Sequence, residues 1–577
     1  MNLFKKIALA MIVISMAACA DLEEILVNPN GVDASQADAV SLYNSVQLNF
    51  RNIANSQTMY RFAGGLARMN GEIGGFTYQA SHGPTEFDGF WNDCYADLFP
   101  DADAFIALAE PIGLNAEAAS AKIMKAYTFM ILVDLFGDVP FTQAGQGNSE
   151  VQILNPSDDP GADVYAGAVA LLDEAIAQLD GAGAFGSAAF DNFFGGDATQ
   201  WTKFANTLKL RAAVTTRLVN GAGGVGTINS IVTGGDFIAA NGDNFEWQYG
   251  NNRANPDNRH PFYPNVYEAN DGQYMANWYM WLLAESKGFP DPRTRYYFYR
   301  QETDIVGAYE ANPNAFDCIF TMTPDPEFLP DHYEAVSEDM PYCLGSYTKG
   351  YFGRDHFNGS GIPPDGNLRT VYGLYPGGGK FDDETTNDIS QNNGVDGAQG
   401  EGIAPIWQAS FTHFILAEAV LTMGADGDAR ELLKAGIELS QSRVRSFESL
   451  VDGGEVIATT PTIVTVADQF PADSTFVEYV DFVLAEYDAA GSDDDRLGVV
   501  AREYLIALYG NGIEGYNLYR RTCLPANIQP AIDPNPGGFI RSALYPSVHV
   551  NLNQNVQQKN SFTDPVFWDT NDASCNY

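Results

Sequence analysis

Between Ala121 and Phe141 the chain reads AKIMKAYTFMILVDLFGDVPF. Ile123, Met124, Tyr127, Met130, Ile131 and Leu135 recur at helical spacing, and Phe129, Leu132 and Val133 make the other faces apolar too. A helix that is apolar nearly all round must be covered on several sides, so other segments have to pack about it. Gly137 is placed to end it in a left-handed cap, and Pro140 prevents its resumption. This stretch alone demands a helical core.

Other segments supply the cover. Ser35 to Met59 reads as a first helix with Val40, Tyr43, Val46 and Phe50 on one side, and Trp91 to Ala109 as a second. Ala162 to Asp180 is the cleanest amphipath, its stripe formed by Val164, Ala168, Leu171, Leu172, Ala175, Ile176 and Leu179. Trp201–Leu218, Trp407–Met423, Asp428–Val444, Ser474–Tyr487 and Arg496–Tyr509 continue the pattern, with small residues at the contacts and short turns between. The expected fold is mainly α: a tetratricopeptide-like helical scaffold without a strict repeat. One domain is expected over 36–577, its scaffold at 36–220 and 401–577. Residues 221–400, rich in Gly, Pro, Asn and aromatics, form a large irregular insertion, the usual seat of a binding site on a rigid frame.

The N-terminus sets an address. Lys5 and Lys6 precede the apolar run Ile7–Met16, followed by Ala17, Ala18 and Cys19, which is the layout of a secretory signal over residues 1–18. The run is too short to span a bilayer as a mature helix. A cysteine directly after two alanines reads as a bacterial lipobox with Cys19 lipidated, and several acyl chains on one residue give stable attachment. Residues 19–35 then form an extended tether.

Charge and cysteines exclude some classes. A formal charge of −43 opposes nucleic acid, whose phosphates it repels. Six cysteines are too scattered for a disulfide framework, although Cys318 and Cys343 are candidates to bridge in an oxidising compartment. Gly221–Gly226 (GAGGVG) matches a dinucleotide motif by letter, but it follows a helix as a loop and lacks the strand before it. Gly377-Gly378-Gly379-Lys380 is followed by Phe381 where a phosphate loop needs Ser or Thr. The six histidines are far apart, with no HExxH or Cys-x-x-Cys pair, so no catalytic residue, metal ligand or cofactor is assigned. Asp493-Asp494-Asp495 and the Asn387–Glu401 loop offer oxygens for a structural calcium, without EF-hand spacing.

Binding has more support. In NFEWQY, at 244–249, Phe245, Trp247 and Tyr249 fall on one face of a strand. Phe262, Tyr263 and Tyr267 sit in a Pro/Asn-rich loop, whereas Tyr274, Trp278, Trp281 and Leu282 keep helical spacing and read as core. Exposed rings beside Asn, Asp or Arg suit carbohydrate, which stacks on the rings and hydrogen-bonds through its hydroxyls. They suit peptide nearly as well.

Several motifs carry a resemblance: DLFGDVPF after the central helix, Trp201-x-x-Phe204-Ala205-Asn206, Asp291-Pro292-Arg293, and GRDH, SGIPPDG and LRTVYGLYPGGGKFD within 351–382. IWQASFTHFILAEAV at 406–420, YGNGIEGYNLYRRT at 509–522, PNPGGF, RSALYP and NLNQN complete the set in order. Together they resemble the SusD/RagB family of bacterial outer-membrane lipoproteins, in its type 2 branch. Asp21, Glu23 and Glu24 after Cys19 are similar to the acidic export tags of surface lipoproteins in the Bacteroidetes.

The resemblance implies a non-enzymatic nutrient receptor, lipid-anchored at the outer membrane and facing outward. Its partner would be a SusC-like TonB-dependent transporter, over which it acts as a lid, and its cargo an oligosaccharide or a peptide. A surface-anchored glycoside hydrolase and a structural lipoprotein bracing a barrel are the readings from other classes. Family ligand residues are not fixed motifs, so the site is expected by position: Phe76 and Tyr78 in the first loop, Trp247, Arg253 and Tyr263 in the insertion, and Tyr351, Arg354 and Asp355. Arg354 and Asp355 have a rival reading as a structural salt bridge.

Overall fold

The computed structural model describes residues 38–571 and Cys575, apart from short segments of which 313–328 and 359–367 are the longest. Cys19, the 19–35 tether, SGIPPDG and Cys318 of the candidate pair lie outside the described residues. The apolar run is the helix Asn115–Phe136, in which every residue from Ala116 to Phe136 except Lys125 is buried. It stops at Gly137, whose positive φ of 80° is the conformation a residue without Cβ adopts freely. Helix Gly161–Ala182 lies along it and buries Val164, Ala168, Leu172, Ala175 and Leu179. Helices Ala39–Ala54 and Phe99–Ala109 pack against it as well.

Further helices come as sequential pairs in contact: Ala198–Thr215 with Arg217–Gly234, Ala409–Met423 with Ala429–Arg445, and Asp473–Ala489 with Asp493–Ala507. The fold is mainly helical and of the tetratricopeptide type, as expected. No helix among the described residues is long and apolar enough to cross a membrane.

Buried ion pairs hold distant helices together. Arg211 donates to Asp134 at 2.5 Å and to Glu514 at 2.6 Å, all three essentially inaccessible. Asp134 also accepts from Tyr165, Asn517 and Trp568, so its charge is met from four other segments of the chain. A second cluster joins Arg293 to Asp291 and Glu503. Such pairs are costly to break, because removing one member strands a charge in low dielectric.

Several expectations need correction. GAGGVG is not a loop: it lies within helix Arg217–Gly234, so helical structure runs past residue 220. A Cβ on Gly224 would stand 2.9 Å from Met423 Cε and 3.3 Å from the Ala213 carbonyl, so glycine permits a close helix crossing there. Trp407 belongs to strand Ile403–Trp407 and not to the helix that follows. Phe262, Tyr263 and Tyr267 form a short buried helix, Phe262–Tyr267, rather than an exposed loop. Cys523 and Cys575 form a disulfide that ties the C-terminal end to helix Gly512–Thr522. The Asp493–Asp495 run is the first turn of its helix, where carboxylates meet the positive end of the helix dipole. Part of the Asn387–Glu401 loop lies outside the described residues, among which no group of three or more His, Cys, Asp or Glu stands ready to hold a metal.

Two short antiparallel pairings pin residues 221–400 to the scaffold, Phe245–Gln248 with Ile403–Trp407 and Asn70–Gly71 with Tyr274–Met275, and a third, Phe298–Arg300 with Thr370–Tyr372, lies within them. The first of these leads directly into helix Ala409–Met423, and it fixes the position of the residues that follow Gln248.

Candidate functional site

Just beyond that pairing, a polar cleft of about 320 Å3 opens between the end of the first helix and residues 249–264. Arg51 and Asn55 stand one turn apart on helix Ala39–Ala54 and its cap, a spacing that places both on one face. The Arg51 guanidinium lies 5.2 Å from the centre of the Trp247 ring and 5.7 Å from that of Tyr249, within cation–π range. Asn55 Nδ2 donates to the Tyr249 hydroxyl at 2.9 Å. Asn52 lines the helix side, and Pro261 and Pro264 the side of residues 249–264.

Opposite stands Arg259. Its Nε and Nη2 donate to the two oxygens of Asp257 at 3.0 and 2.7 Å, and Nη1 donates to Glu268 at 2.6 Å. Hydrogen bonding to Arg259 holds the Asp257 carboxyl below its ordinary range. Burial pushes the Tyr249 phenol up and His260 down to about 3, so His260 is neutral at physiological pH. The cleft therefore offers two guanidinium groups, two amides, one ionised carboxylate already forked to arginine, and the phenol of Tyr249. It can donate and accept hydrogen bonds around a neutral polyhydroxyl ligand. Asp257 is the one acid on its lining among the described residues.

A family model for SusD-like proteins, described as "Starch-binding associating with outer membrane", matches residues 31–349. The chain belongs to the SusD-like family. Among solved structures, a SusD/RagB family protein from Bacteroides thetaiotaomicron is 17% identical, with a TM-score of 0.63 over 93% of this chain and 100% of that one. A putative outer membrane protein of Bacteroides vulgatus, titled as probably involved in nutrient binding, is 17% identical with a TM-score of 0.63, over 92% and 100% of the two chains. A chitin-binding SusD homolog from Flavobacterium johnsoniae is 19% identical with a TM-score of 0.60, covering 92% and 99%. Among curated proteins none matches the sequence.

In this SusD-like protein the residues expected at the site fall into three neighbourhoods. Trp247, Arg253 and Tyr263 are not on the cleft's lining but stand behind it, Trp247 and Tyr263 against Arg51 and Arg259 and Arg253 beside Glu268, the second partner of Arg259. Trp247 is half-buried under Arg51, and Arg253 is an exposed cation beside Glu268. Tyr263 is buried, its hydroxyl donating to the Asp396 carbonyl at 2.6 Å and its ring 5.7 Å from the Arg259 guanidinium.

Phe76, Tyr78, Arg354 and Asp355 belong to a different, interior junction. Tyr78 has no exposed surface and packs on Phe357 and Phe539. Asp355 is buried and accepts from Asn277 at 3.0 Å, the Cys343 N–H at 2.7 Å and Gln529 at 2.9 Å. The Arg354 guanidinium lies 4.5 Å over the Tyr274 ring. This is interior scaffolding, in which two amides and a backbone N–H hold the Asp355 carboxylate and the Arg354 charge also acts on it. Phe76 is half-buried against the core. Tyr351 is buried elsewhere, beneath Arg300.

Sequence reasoning missed Arg51, Asn55, Asp257 and Arg259. One signal was present: a cation and an amide four residues apart, in a chain with 31 Lys and Arg against 74 Asp and Glu.

Proposed function

We propose that this SusD-like protein is a cell-surface receptor that holds an oligosaccharide in the Arg51–Tyr249–Arg259 cleft without altering it covalently. On this reading Cys19 carries the lipid anchor, residues 19–35 are the tether, and a SusC-like TonB-dependent transporter receives the cargo beneath a lid formed by residues 36–577. The observation that carries the reading is the cleft itself, in which ring, amide and guanidinium groups converge on a pinned loop. The family description and the chitin-binding homolog support a carbohydrate over a peptide.

Titration calorimetry with starch- and chitin-derived oligosaccharides tests it. One of the two series should bind saturably, and Arg51→Ala or Trp247→Ala should weaken binding about tenfold, equivalent to ~1.4 kcal/mol. Incubation with the bound sugar should return it uncleaved. Cleavage at enzymatic speed would favour the hydrolase, and retention of a barrel without any sugar would favour the brace. Incorporation of labelled palmitate, abolished in Cys19→Ala, tests the anchor separately.

A further inference from the structure

The first helix, Ala39–Ala54, runs away from the cleft with one side open to solvent. Its inner side buries Tyr43, Val46, Gln47, Phe50 and Ile53, and the cleft residues Arg51, Asn52 and Asn55 mark its C-terminal end. Asn44 and Leu48 are exposed further back along the same helix. Asn44, Leu48, Asn52 and Asn55 follow one another at intervals of four, four and three residues, which places them on one face, a turn apart. From Asn44 to Asn55 the row reaches about 16 Å, so the cleft wall continues as a straight line of side chains.

In a chain with 74 acids against 31 Lys and Arg, this helix holds no Asp or Glu, and Arg51 is its only charge. Asp101 of helix Phe99–Ala109 is turned to the flank of the row, where it accepts from Ser45 at 2.5 Å and Asn49 at 3.1 Å. Asp38 caps the far end and accepts from Ser41. Among the described residues no hydrogen bond occupies the side-chain amide of Asn44 or Asn52, and both are exposed, so a ligand reaches them without displacing protein. An amide both donates and accepts, which matches the hydroxyl and acetamido groups of a neutral sugar. Leu48, 41% exposed between them, offers an apolar patch to the C–H face of a ring.

We propose that this face extends the binding site, and that the cargo is an extended, β-linked oligosaccharide, seated in the cleft at one end and running along Asn52, Leu48 and Asn44. The proposal rests on the reading of the cleft as an oligosaccharide site and narrows the class of sugar. One contact per helical turn, about 5.4 Å, meets successive rings of a chain that is itself nearly straight. A coiled α-linked chain curves away from a straight row after its first rings.

The test uses the whole mature protein and titration calorimetry with cello-, chito- and malto-oligosaccharides of two and five sugars. In the cello or the chito series the five-sugar chain should bind about tenfold more tightly than the two-sugar one, the sum of a few weak contacts. The malto series should gain less than about threefold. Asn44→Ala/Leu48→Ala replaces two exposed side chains by a good helix former, so that variant should melt at or above the wild-type temperature. It should bring five-sugar affinity down to the two-sugar level and leave two-sugar affinity unchanged, whereas Arg51→Ala should weaken both lengths alike. Equal binding of the two lengths, an unaffected double variant, or a malto series that gains as much would overturn the extended path and leave the cleft as the site. Absence of binding by every sugar would overturn the cleft reading and the path with it.

Discussion

His260 shows how a single buried side chain couples the cleft to pH. It lies beneath Tyr249 and against Asn55, and burial lowers its pKa to about 3 from an ordinary 6.5. Between those values the unfolded chain binds a proton that the folded chain refuses, so stability rises with pH. The contribution is complete above pH 6.5 and is lost progressively as pH falls towards 3, by an amount on the order of 4 kcal/mol. Urea unfolding at pH 7, 5 and 4 should show His260→Gln losing less stability on acidification than the parent. Equal losses would show that His260 is not held neutral. Nothing in the sequence marks His260 in this way, because its burial is completed by a contact with Asn55, 205 positions away.

At the scale of elements, the helix Gly512–Thr522 meets the helical turn Thr58–Ala63 almost backbone to backbone. A Cβ on Gly512 would stand 2.3 Å from the Met59 carbonyl oxygen and 2.4 Å from the Gly64 nitrogen, atoms that cannot step aside. Gly512→Ala should therefore destabilise the protein by about 1–3 kcal/mol, measured by chemical denaturation. A neutral result would mean the two elements do not approach so closely. The same physics explains what was legible in the sequence. Asn115–Phe136 could be read because residues apolar on all faces admit one solution. GAGGVG could not, because local propensity points away from a helix and only Gly224 is explained by the close approach of a neighbouring helix. Phe262, Tyr263 and Tyr267 looked like loop aromatics for the same reason: they are packed by Tyr60, Tyr372 and Asp396, which lie outside any local window. Arg51 and Asn55 resemble any solvated helix face until Trp247 and Tyr249 are brought over them.

Across the whole molecule, the chain closes on itself near its end. The Cys523–Cys575 disulfide encloses 52 positions, and removing such a loop constraint costs about 4 kcal/mol by chain entropy. A Cys523→Ser/Cys575→Ser double variant should melt several degrees lower, while its affinity for oligosaccharide stays at the wild-type value, since neither cysteine borders the cleft. A parallel loss of affinity would place the C-terminal segment in the binding event. Asn55 and Tyr249, which touch across the cleft, are 194 positions apart in sequence. An occupant bonded to both walls acts as a strut between distant parts of the chain, and each opening of that seam must first release it. Deuterium uptake at 51–55 and at 249–264 should therefore slow together when sugar is present. Slowing on one bank alone would mean that the guest rests on a single shore.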